Sequence, residues 1–478
     1  MIHLSTVQRV AKNTGIIIVG DVIFRTISLV ITIYLARYLG TVGYGKYNFV
    51  FAFLAFFGII ADLGLRDILV REMSRDRSMM PKLIGNGYII VLILTTSAVA
   101  LSMIVISLMS YPADITTYVY IAAFTIFFIS FSEFYFTIFR VNLRMEYPIF
   151  AKLISKVLSA GLIFWIIFSH GTLMQVMIAL VFSEMVKTSL SNLFSRKFVR
   201  PQFNIDFGLW KYLLKEALPL ALTGVIWIIY FRIDVVMLSL MQGDAPVGIY
   251  SAAYTLSQPL TLISSAFMLS LFPLMSGYFE TSQDRLVKSY RLGIKYLLII
   301  IIPIAIGTTL IADKIIFLIY GSEFAGSATP LQILIWAIVF ISISSVLTKL
   351  LIAIGKQKLY TLSMAICAIA NVTLNFILIP ILSYNGAAIT TVATNIVLFG
   401  ASFYFVSKHL QVLLPIHKIS IKPIISSLLM GAFVYYFIAV NIFLLVPLAA
   451  IVYLVALLAL KTFSKEDLDI VKRVLKIV

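Results

Sequence analysis

A small set of charged side chains interrupts the long apolar segments of this 478-residue chain, and these residues are the first candidates for chemistry. A charge at the centre of a bilayer costs about 2.5–3.5 kcal/mol on insertion scales, so its presence indicates a function or an ion pair. The set consists of Asp21, Arg25, Asp62, Glu133, Glu184, Lys187, Arg232 and Asp234. We expect these side chains either to line a polar cavity or to neutralise one another between helices.

The bases of this set predict a cationic cavity that attracts an anion. Arg25, Arg232 and Lys187 lie within apolar segments, where facing a water-filled cavity is the alternative to forming an ion pair. Arg37 and Lys46 flank the first expected outer loop and extend the cationic path towards the outer mouth. We therefore predict these five side chains as the substrate-binding residues.

Structural ion pairs are the competing interpretation. Asp21 precedes Arg25 by four residues, and Glu184 precedes Lys187 by three. Each spacing places both members on one helical face, where they can neutralise each other. Asp234 stands two residues after Arg232 and faces another direction, so at least one of these two residues needs a partner elsewhere.

The acids are candidates for coupling transport to an ion. Glu133 has no base within a helical turn, so its carboxyl group could bind a proton or a sodium ion. Asp21, Glu184 and Asp234 are the other candidates for this role. A cation on another helix would instead make Glu133 one half of an ion pair, and this alternative stays open at this point.

The composition identifies the elements that carry these charges as membrane-spanning helices. Hydrophobic residues make up 61% of the chain and charged residues 12%, with a mean hydropathy of +1.06. These values exclude a soluble enzyme, a disordered protein and a disulfide scaffold. The sequence predicts an all-α integral membrane protein, because fourteen apolar runs are each about long enough to span a bilayer. The runs cover residues 15–36, 47–65, 83–108, 117–139, 150–169, 173–194, 217–241, 249–275, 294–312, 329–350, 359–382, 386–406, 423–440 and 442–460.

The distribution of basic residues predicts the orientation of these helices. If the N-terminus is cytoplasmic, 31 of the 37 lysines and arginines fall on the inner side and only Arg37, Lys46 and Lys314 on the outer side. Cytoplasmic loops are enriched in lysine and arginine, so this split favours fourteen spans with both termini inside. It also accounts for most of the net charge of +17 without a nucleic-acid partner.

A short motif recurs at the start of each half of the chain. The pattern Gly-x4-Gly-x-Tyr covers residues 40–47 and again residues 243–250, an offset of 203. Both copies fall in an expected outer turn between the first and second helices of a half. Because each half has an even number of spans, we expect a parallel repeat about an axis along the membrane normal, with the substrate site between the halves.

The repeat divides the chain into four predicted parts. A six-helix lobe (1–194) is followed by a cytoplasmic amphipathic linker (195–216), and the helical spacing of apolar and charged residues in its second part (205–216) predicts an interfacial helix. A second six-helix lobe covers residues 217–406. Two extra helices and a cytoplasmic tail cover residues 407–478, and we expect residues 465–475 of the tail to form an amphipathic helix.

The sequence lacks the patterns of common catalytic sites. Its four histidines form no metal-binding pattern, and it has no glycine-rich nucleotide-binding loop of the Walker type. No large outer loop carries paired carboxylates. We therefore predict a membrane transporter and not an enzyme, with no metal and no cofactor.

Four stretches of the chain carry a family resemblance. They are LARYLGTVGYGKYNFVFAF (35–53), RIDVVMLSLMQGDAPVGIYSAAYTLSQPL (232–260), GSEFAGSATPLQILIWA (321–337) and NVTLNFILIPILSYNGAAITTVATN (371–395). The chain resembles the Wzx-type polysaccharide or O-antigen flippases, also called oligosaccharide-lipid exporters. That family belongs to a superfamily that also contains the MATE multidrug exporters and the peptidoglycan lipid-intermediate flippase. The resemblance extends over essentially the whole chain.

The resemblance implies two six-helix lobes around a central cavity that opens alternately to the two sides of the membrane. The implied cargo is an oligosaccharide on a polyprenyl or dolichyl diphosphate, moved from the inner to the outer leaflet for the assembly of surface polysaccharides or glycoconjugates. Arg25 and Arg232 would then face the diphosphate, whose negative charges need cationic partners. The two extra helices would form a groove for the lipid tail.

The resemblance also implies a setting for this transport. We expect a multi-pass protein of the plasma membrane that works as a monomer among membrane lipids, with the lipid-linked oligosaccharide as its substrate. The energy would come from the membrane potential or from a proton or sodium gradient. Other membrane proteins of polysaccharide assembly are candidate partners.

Two other functions compete with this expectation. A MATE-like exporter of organic cations, driven by protons or sodium, would need acidic cavity residues, and Asp21, Glu133 and Glu184 are available for it. A membrane subunit of a polysaccharide synthesis complex that does not transport anything is the third possibility. Transport of a glycolipid would indicate the flippase, and transport of an organic cation would indicate the exporter. The absence of both would indicate the non-transporting subunit.

Overall fold

The computed structural model describes residues 6–412 and 416–463, and every regular secondary-structure element in those ranges is a helix. Three short 3-10 segments connect some of the α-helices. The α-helices of the described ranges are α1 (Thr6–Asp62), α2 (Leu65–Arg75), α3 (Met80–Leu108), α4 (Ala113–Val141), α5 (Glu146–Phe168), α6 (Leu173–Ser195), α7 (Phe207–Gln242), α8 (Asp244–Ser257), α9 (Thr261–Thr281), α10 (Gln283–Tyr320), α11 (Ala328–Ala353), α12 (Gln357–Leu410), α13 (Ile416–Tyr436) and α14 (Ile442–Ala459). The expected all-α membrane fold is confirmed.

Two of these helices are too long for a single crossing of a bilayer. The described part of the chain has 12 helical stretches long and apolar enough to cross a membrane. Among them, α1 has 57 residues and α12 has 54. At 1.5 Å per residue each is about 80–85 Å long, whereas a bilayer core is about 30 Å thick. Their helical dihedral angles are interrupted at Gly40 and Ser383, between the expected spans 1 and 2 and the expected spans 11 and 12. If α1 and α12 are each divided at their break, the 12 stretches become fourteen crossings. This number and the inside location of both termini remain predictions.

One expected span is bent. The single apolar run at 249–275 forms α8 and α9, which a 3-10 segment at Gln258–Leu260 separates. Pro259 explains the break, because proline lacks the N–H that an α-helix needs and its ring clashes with the preceding turn.

The chain forms two compact units, residues 1–248 and residues 249–478. The first unit has an apolar core between α2, α3, α4 and the first turns of α7, around side chains such as Leu69 and Phe134. The second has one core between α9, α10, α11 and the end of α12, and another between α10, α13 and α14. Because α7 belongs to the first unit, this division differs from the predicted lobe boundaries, which remain a prediction.

The two copies of the repeated motif share an unusual backbone conformation. Gly40 has φ 66° and ψ −177°, and Gly243 has φ 83° and ψ −167°. This region of backbone space is open almost only to glycine. A third glycine, Gly321, begins another Gly-x4-Gly pattern and has φ 88° and ψ −175°. All three end one helix and let the next begin within one or two residues.

The second glycines of the two motif copies pack against each other's turns in a reciprocal way. A Cβ atom placed on Gly45 would lie 1.8 Å from the carbonyl oxygen of Asp244, and one placed on Gly248 would lie 1.9 Å from that of Thr41. Residues 41 and 244 are related by the same offset of 203 as the glycines. Such close backbone approach requires a residue without a side chain. The contact therefore has the local two-fold relation that the internal repeat predicts.

The linker between α6 and α7 is fastened to the start of α3. Backbone N–H of Gln202 donates to the Pro81 carbonyl at 2.9 Å, and a Cβ atom on Gly85 would lie 1.8 Å from the Gln202 carbonyl oxygen. The Asn86 side chain donates to the Asn204 carbonyl and accepts hydrogen bonds from the Asp206 backbone N–H and the Trp210 indole. The expected helix in the second part of the linker is present, but it forms the first turns of the continuous helix α7.

Asp206 is the N-terminal cap of α7. Its carboxylate lies 2.7 Å from the Lys82 ammonium and accepts a hydrogen bond from the Leu209 backbone N–H at 3.0 Å. The Lys82 ammonium and, next, the Leu209 N–H hold the pKa of Asp206 below its usual value. The attachment is therefore present above the unfolded-state pKa of about 3.9, and it weakens as the pH falls through the lower folded-state pKa.

The amphipathic helix expected over residues 465–475 lies outside the described residues.

We predict that Gly45→Ala and Gly248→Ala each destabilise the protein by about 1–3 kcal/mol, because the new methyl group overlaps a backbone carbonyl. Thermal unfolding of the purified protein in detergent measures the loss. Gly58→Ala is the matched control, since nothing lies within 4 Å of a Cβ atom at Gly58. Equal unfolding temperatures for Gly45→Ala and Gly58→Ala would contradict the close contact.

We predict that Asp206→Ala speeds tryptic cleavage of the linker at Arg196 or Lys197, because α7 loses its cap and the ion pair with Lys82. Asp206→Asn should be cleaved at an intermediate rate, since asparagine can cap a helix but cannot neutralise a lysine. The wild type should become more susceptible as the pH falls towards 3, in an assay with an acid-active protease. Identical cleavage of all three proteins would show that the linker is held without Asp206.

Candidate functional site

A polar stripe runs along the first half of α1. It consists of Asp21, Arg25, Ser28 and Thr32, whose spacing of four, three and four residues places them on one helical face. Asp21 and Arg25 are exposed, and Ser28 and Thr32 are half-buried. Both hydroxyls donate to the carbonyl four residues earlier, at 2.7 and 2.8 Å, so their polarity is satisfied within the helix. We call these four residues the polar stripe of α1.

The two charges of the polar stripe do not neutralise each other by direct contact. Among the described residues, no ion pair joins Asp21 to Arg25 or either of them to another side chain. An exposed charge within a membrane span avoids hydrocarbon only by facing water. A second exposed face of the same helix lies more than 100° away and carries Val19 and Val30, which suit a lipid environment. The polar stripe therefore has the properties of a surface that lines a water-filled cavity.

The second predicted arginine lies near the end of α7. Arg232 is exposed. Asp234, two residues later, is 3% exposed and accepts a hydrogen bond from the Val235 backbone N–H at 2.9 Å. The two side chains thus face different surroundings, as their spacing predicts.

Glu133 is part of a cluster of charges between three helices. Its carboxylate lies 3.6 Å from the Arg66 guanidinium of α2 and 3.5 Å from the Lys152 ammonium of α5. Arg66 in turn donates two hydrogen bonds to the Asp62 carboxylate, at 2.6 and 2.5 Å. We call Asp62, Arg66, Glu133 and Lys152 the charge cluster. The structure favours the ion-pair interpretation of Glu133 that the sequence left open, and its role in ion coupling remains a prediction.

Two further bases within or near the spans form ion pairs. Lys187 forms an ion pair with Glu184, as the spacing of three residues predicts, and it is 8% exposed. At the other end of the unit, the Lys46 ammonium lies 2.5 Å from the Asp114 carboxylate. Arg37 is exposed near the end of the first half of α1. Lys46 and Lys187 therefore contribute little uncompensated charge to a cationic cavity, whereas Arg25 is better placed to do so.

Two features of this site were not predicted from the sequence. Ser28 and Thr32 continue the face of Arg25, and the spacing of these residues was a usable signal because a polar face on an apolar helix is unusual. The partners of Glu133, by contrast, come from two helices that are 67 and 19 residues away in sequence, and no local pattern indicates them. Among the described residues, no group of three His, Cys, Asp or Glu side chains could hold a metal ion.

Long apolar helices with breaks at glycine define a multi-pass membrane protein. A family model described as "Polysaccharide biosynthesis protein" matches residues 10–279, and a model described as "MatE" matches residues 219–377. The first match covers more than half of the chain, so the chain belongs to the polysaccharide biosynthesis protein family. This confirms the resemblance that the sequence motifs carry and places the protein in the cell membrane.

Related proteins with curated names are flippases. "Probable low-salt glycan biosynthesis flippase Agl15" of Haloferax volcanii is 24% identical over 368 residues, 75% of each chain. "Lipid II flippase MurJ" of Bacillus subtilis is 27% identical over 175 residues, 36% of this chain and 31% of MurJ. These relatives are transport proteins and not enzymes, as predicted for this chain.

Solved structures share the fold. The lipid II flippase MurJ in an inward closed conformation matches with a TM-score of 0.78 and 16% identity, covering 92% of this chain and 97% of that chain. An inward-facing MATE family transporter matches with a TM-score of 0.69 and 16% identity, covering 81% and 94%. At this identity the likeness concerns the fold, which both transporter classes share.

We predict that Glu133→Gln lowers the stability of the protein by roughly 1 kcal/mol, because Arg66 and Lys152 lose their shared counter-charge. The measurement is thermal unfolding in detergent at low and high salt, since added salt should reduce the difference. Glu146→Gln is the control, because Glu146 forms a single and more exposed pair with Arg144 at 3.2 Å. An unchanged unfolding temperature for Glu133→Gln would show that the charge cluster is not a stabilising element.

Proposed function

We propose that this protein is a lipid-linked oligosaccharide flippase. It moves a glycan on a polyprenyl or dolichyl diphosphate from the inner to the outer leaflet by alternating access, for the assembly of surface polysaccharides or glycoconjugates. The observation that carries the proposal is the polar stripe of α1, where Arg25 is exposed within a membrane span and forms no ion pair among the described residues. The family match and the flippase relatives support the same function.

The chemistry of the cargo fits an exposed arginine. A diphosphate carries about two negative charges and cannot enter hydrocarbon without counter-charges. A guanidinium group stays protonated and can donate two parallel hydrogen bonds to one phosphate, so an arginine binds this group better than a lysine does. Arg25 supplies the first contact, and the exposed Arg232 supplies a second from α7. Ser28 and Thr32 keep the stripe polar without adding charge.

Export of organic cations is the second candidate, and the match to the MatE family model favours it. Such a transporter needs acids that are available to a cation. Glu133 is already neutralised by two bases and Glu184 by Lys187. Asp21 remains exposed, but it shares its helical face with Arg25, whose positive charge opposes the binding of a cation. The arrangement of charges therefore favours an anionic cargo.

The proposed transport needs an energy source, and the membrane potential and an ion gradient are the two candidates. A cargo with about two negative charges that leaves the cytoplasm is assisted by a membrane potential that is negative inside. Coupling to a proton or sodium gradient would need a carboxylate in the cavity that can bind and release the ion, and Asp21 is the exposed acid of the polar stripe. Glu133 is the second coupling candidate if the charge cluster opens during transport. Dependence of transport on an imposed potential alone would distinguish the first source from the second.

We predict that Arg25→Ala slows translocation of a labelled polyprenyl-diphosphate oligosaccharide about ten- to a hundred-fold, because one charge-assisted contact with phosphate is lost. Arg232→Ala should have a smaller effect in the same direction. Arg25→Lys should recover part of the activity. The measurement is the accessibility of the label to a membrane-impermeant reagent on each side of proteoliposomes.

Arg75→Ala is the matched control for these variants. Arg75 is an exposed arginine of the same unit, outside the polar stripe, and its side chain is 66% exposed. Full activity of Arg25→Ala would remove the polar stripe from the substrate path while leaving the flippase function in place. Failure of the wild type to move any glycolipid, together with gradient-driven uptake of an organic cation, would favour the MATE-like function. Failure of both transport assays would favour a subunit that assists polysaccharide assembly.

A further inference from the structure

The second unit contains a basic pocket that the proposed transport mechanism does not use. It has a volume of about 550 Å³ and lies between the first turns of α10 and α13, next to the chain that follows α14. Five bases line it: Lys288, Arg291, Lys295, Lys418 and Lys422. One carboxylate, Asp284, also lines it, so cations exceed acids by four. We call this cavity the basic pocket.

The bases reach the basic pocket because of their helical spacing. Lys288, Arg291 and Lys295 follow one another at intervals of three and four residues, which places them on one face of α10. Lys418 and Lys422 are four residues apart on α13. Two helices thus direct cations into one space, where Arg291 of α10 and Lys418 of α13 can attract a bound anion from opposite walls.

The walls of the pocket are tied together by specific contacts. The Lys422 ammonium donates a hydrogen bond to the Lys461 carbonyl at 2.9 Å, which joins α13 to the chain after α14. Deeper in the unit, the Tyr453 hydroxyl of α14 donates to the Ile299 carbonyl of α10 at 2.6 Å. The three helices also share an apolar core around Met430 and Leu445. The pocket is therefore built on a packed scaffold.

A buried hydroxyl adds a directional donor. Thr462 lines the pocket and is 7% exposed, and its hydroxyl has no hydrogen-bond partner among the described residues. Buried hydroxyl groups in native proteins almost always have a partner, so the Thr462 hydroxyl is available to a ligand in the pocket. A hydroxyl beside several cations is suited to a phosphate oxygen, which accepts hydrogen bonds and carries the compensating charge.

The face of α13 that carries the two lysines continues as an apolar surface. Lys418, Lys422, Ile425 and Leu429 are spaced by four, three and four residues, so they form one stripe. Ile425 is 41% exposed and Leu429 is 52% exposed. A ligand with an anionic head and an apolar chain matches this order, whereas free phosphate would contact only the two lysines.

We propose that the basic pocket binds the phosphate headgroup of an anionic membrane phospholipid, whose acyl chain lies along Ile425 and Leu429. By the distribution of basic residues, the pocket is on the cytoplasmic side, where it would be open to lipids of the inner leaflet. The α10 helix is about 57 Å long, so its first turns extend beyond a bilayer core of about 30 Å and can reach the headgroup layer. This site is separate from the polar stripe of α1, and it does not depend on the identity of the cargo.

The test measures lipid binding by the full-length protein in a neutral detergent, so it requires no transport. The probes are phosphatidylglycerol, phosphatidylcholine, inorganic phosphate and a polyprenyl diphosphate, and the readouts are native mass spectrometry and the shift in unfolding temperature. The variant Arg291→Gln/Lys418→Gln removes one exposed charge from each wall. Its control, Arg285→Gln/Lys358→Gln, removes two exposed cations of the same unit that do not line the pocket.

We expect the wild type and the control to bind phosphatidylglycerol in preference to phosphatidylcholine. The pocket variant should bind it about tenfold or more weakly, because each basic residue near a charged headgroup contributes about 1 kcal/mol. Thr462→Val should weaken binding by about two- to tenfold without changing its salt dependence, since it removes a hydrogen-bond donor and no charge.

Two outcomes would overturn the proposal. Equal weakening in the control would mean that the lipid responds only to overall charge. Pocket-dependent binding of the polyprenyl diphosphate, but not of phosphatidylglycerol, would assign the phosphate chemistry to the cargo and not to a membrane lipid.

Discussion

The cost of placing a charge in hydrocarbon governs the arrangement of this protein. Each charged side chain in or near the described spans has one of three solutions. Some are neutralised between helices, as Glu133 is by Arg66 and Lys152, or within one helix, as Lys187 is by Glu184. Others stand at helix ends. A third group is exposed without lying at a helix end, as Asp21 and Arg25 are on the polar face of α1 and Arg232 is on α7. This third solution leaves charge available to a cargo, and for that reason it identifies the candidate site.

The glycine contacts allow helices that bury little polar surface to cross at close range. Without a hydrophobic driving force between helices in lipid, packing depends on how closely the backbones approach. The reciprocal contacts of Gly45 with Asp244 and of Gly248 with Thr41 leave room for a hydrogen atom only. They fix the second half of α1 against the turn after α7. The position of the polar stripe relative to Arg232 depends on this fixed element, since both lie on helices that end at these turns.

The basic residues of the predicted cytoplasmic side do more than set the orientation. Lys82 fastens the linker by pairing with the cap of α7, and the lysines and the arginine of the basic pocket enclose a cavity between α10 and α13. The first use satisfies a helix end, whose N–H groups need acceptors. The second places Arg291 and Lys418 on opposite walls of one cavity, where both can meet an anion. One compositional bias therefore serves topology, local stability and a proposed lipid site.

The sequence by itself determined the class of the protein, because hydropathy, charge distribution and the repeated glycine motif are one-dimensional patterns. It therefore indicated the helical membrane fold, the breaks near Gly40 and Ser383 and the pairing of Glu184 with Lys187. Only the tertiary structure decided which other charges meet. Arg66 and Lys152 reach Glu133 from different helices, and Asp21 does not pair with Arg25 although its spacing allows it. Contacts between distant segments depend on how helices pack and rotate, and rotation about a helix axis leaves no mark in the local sequence.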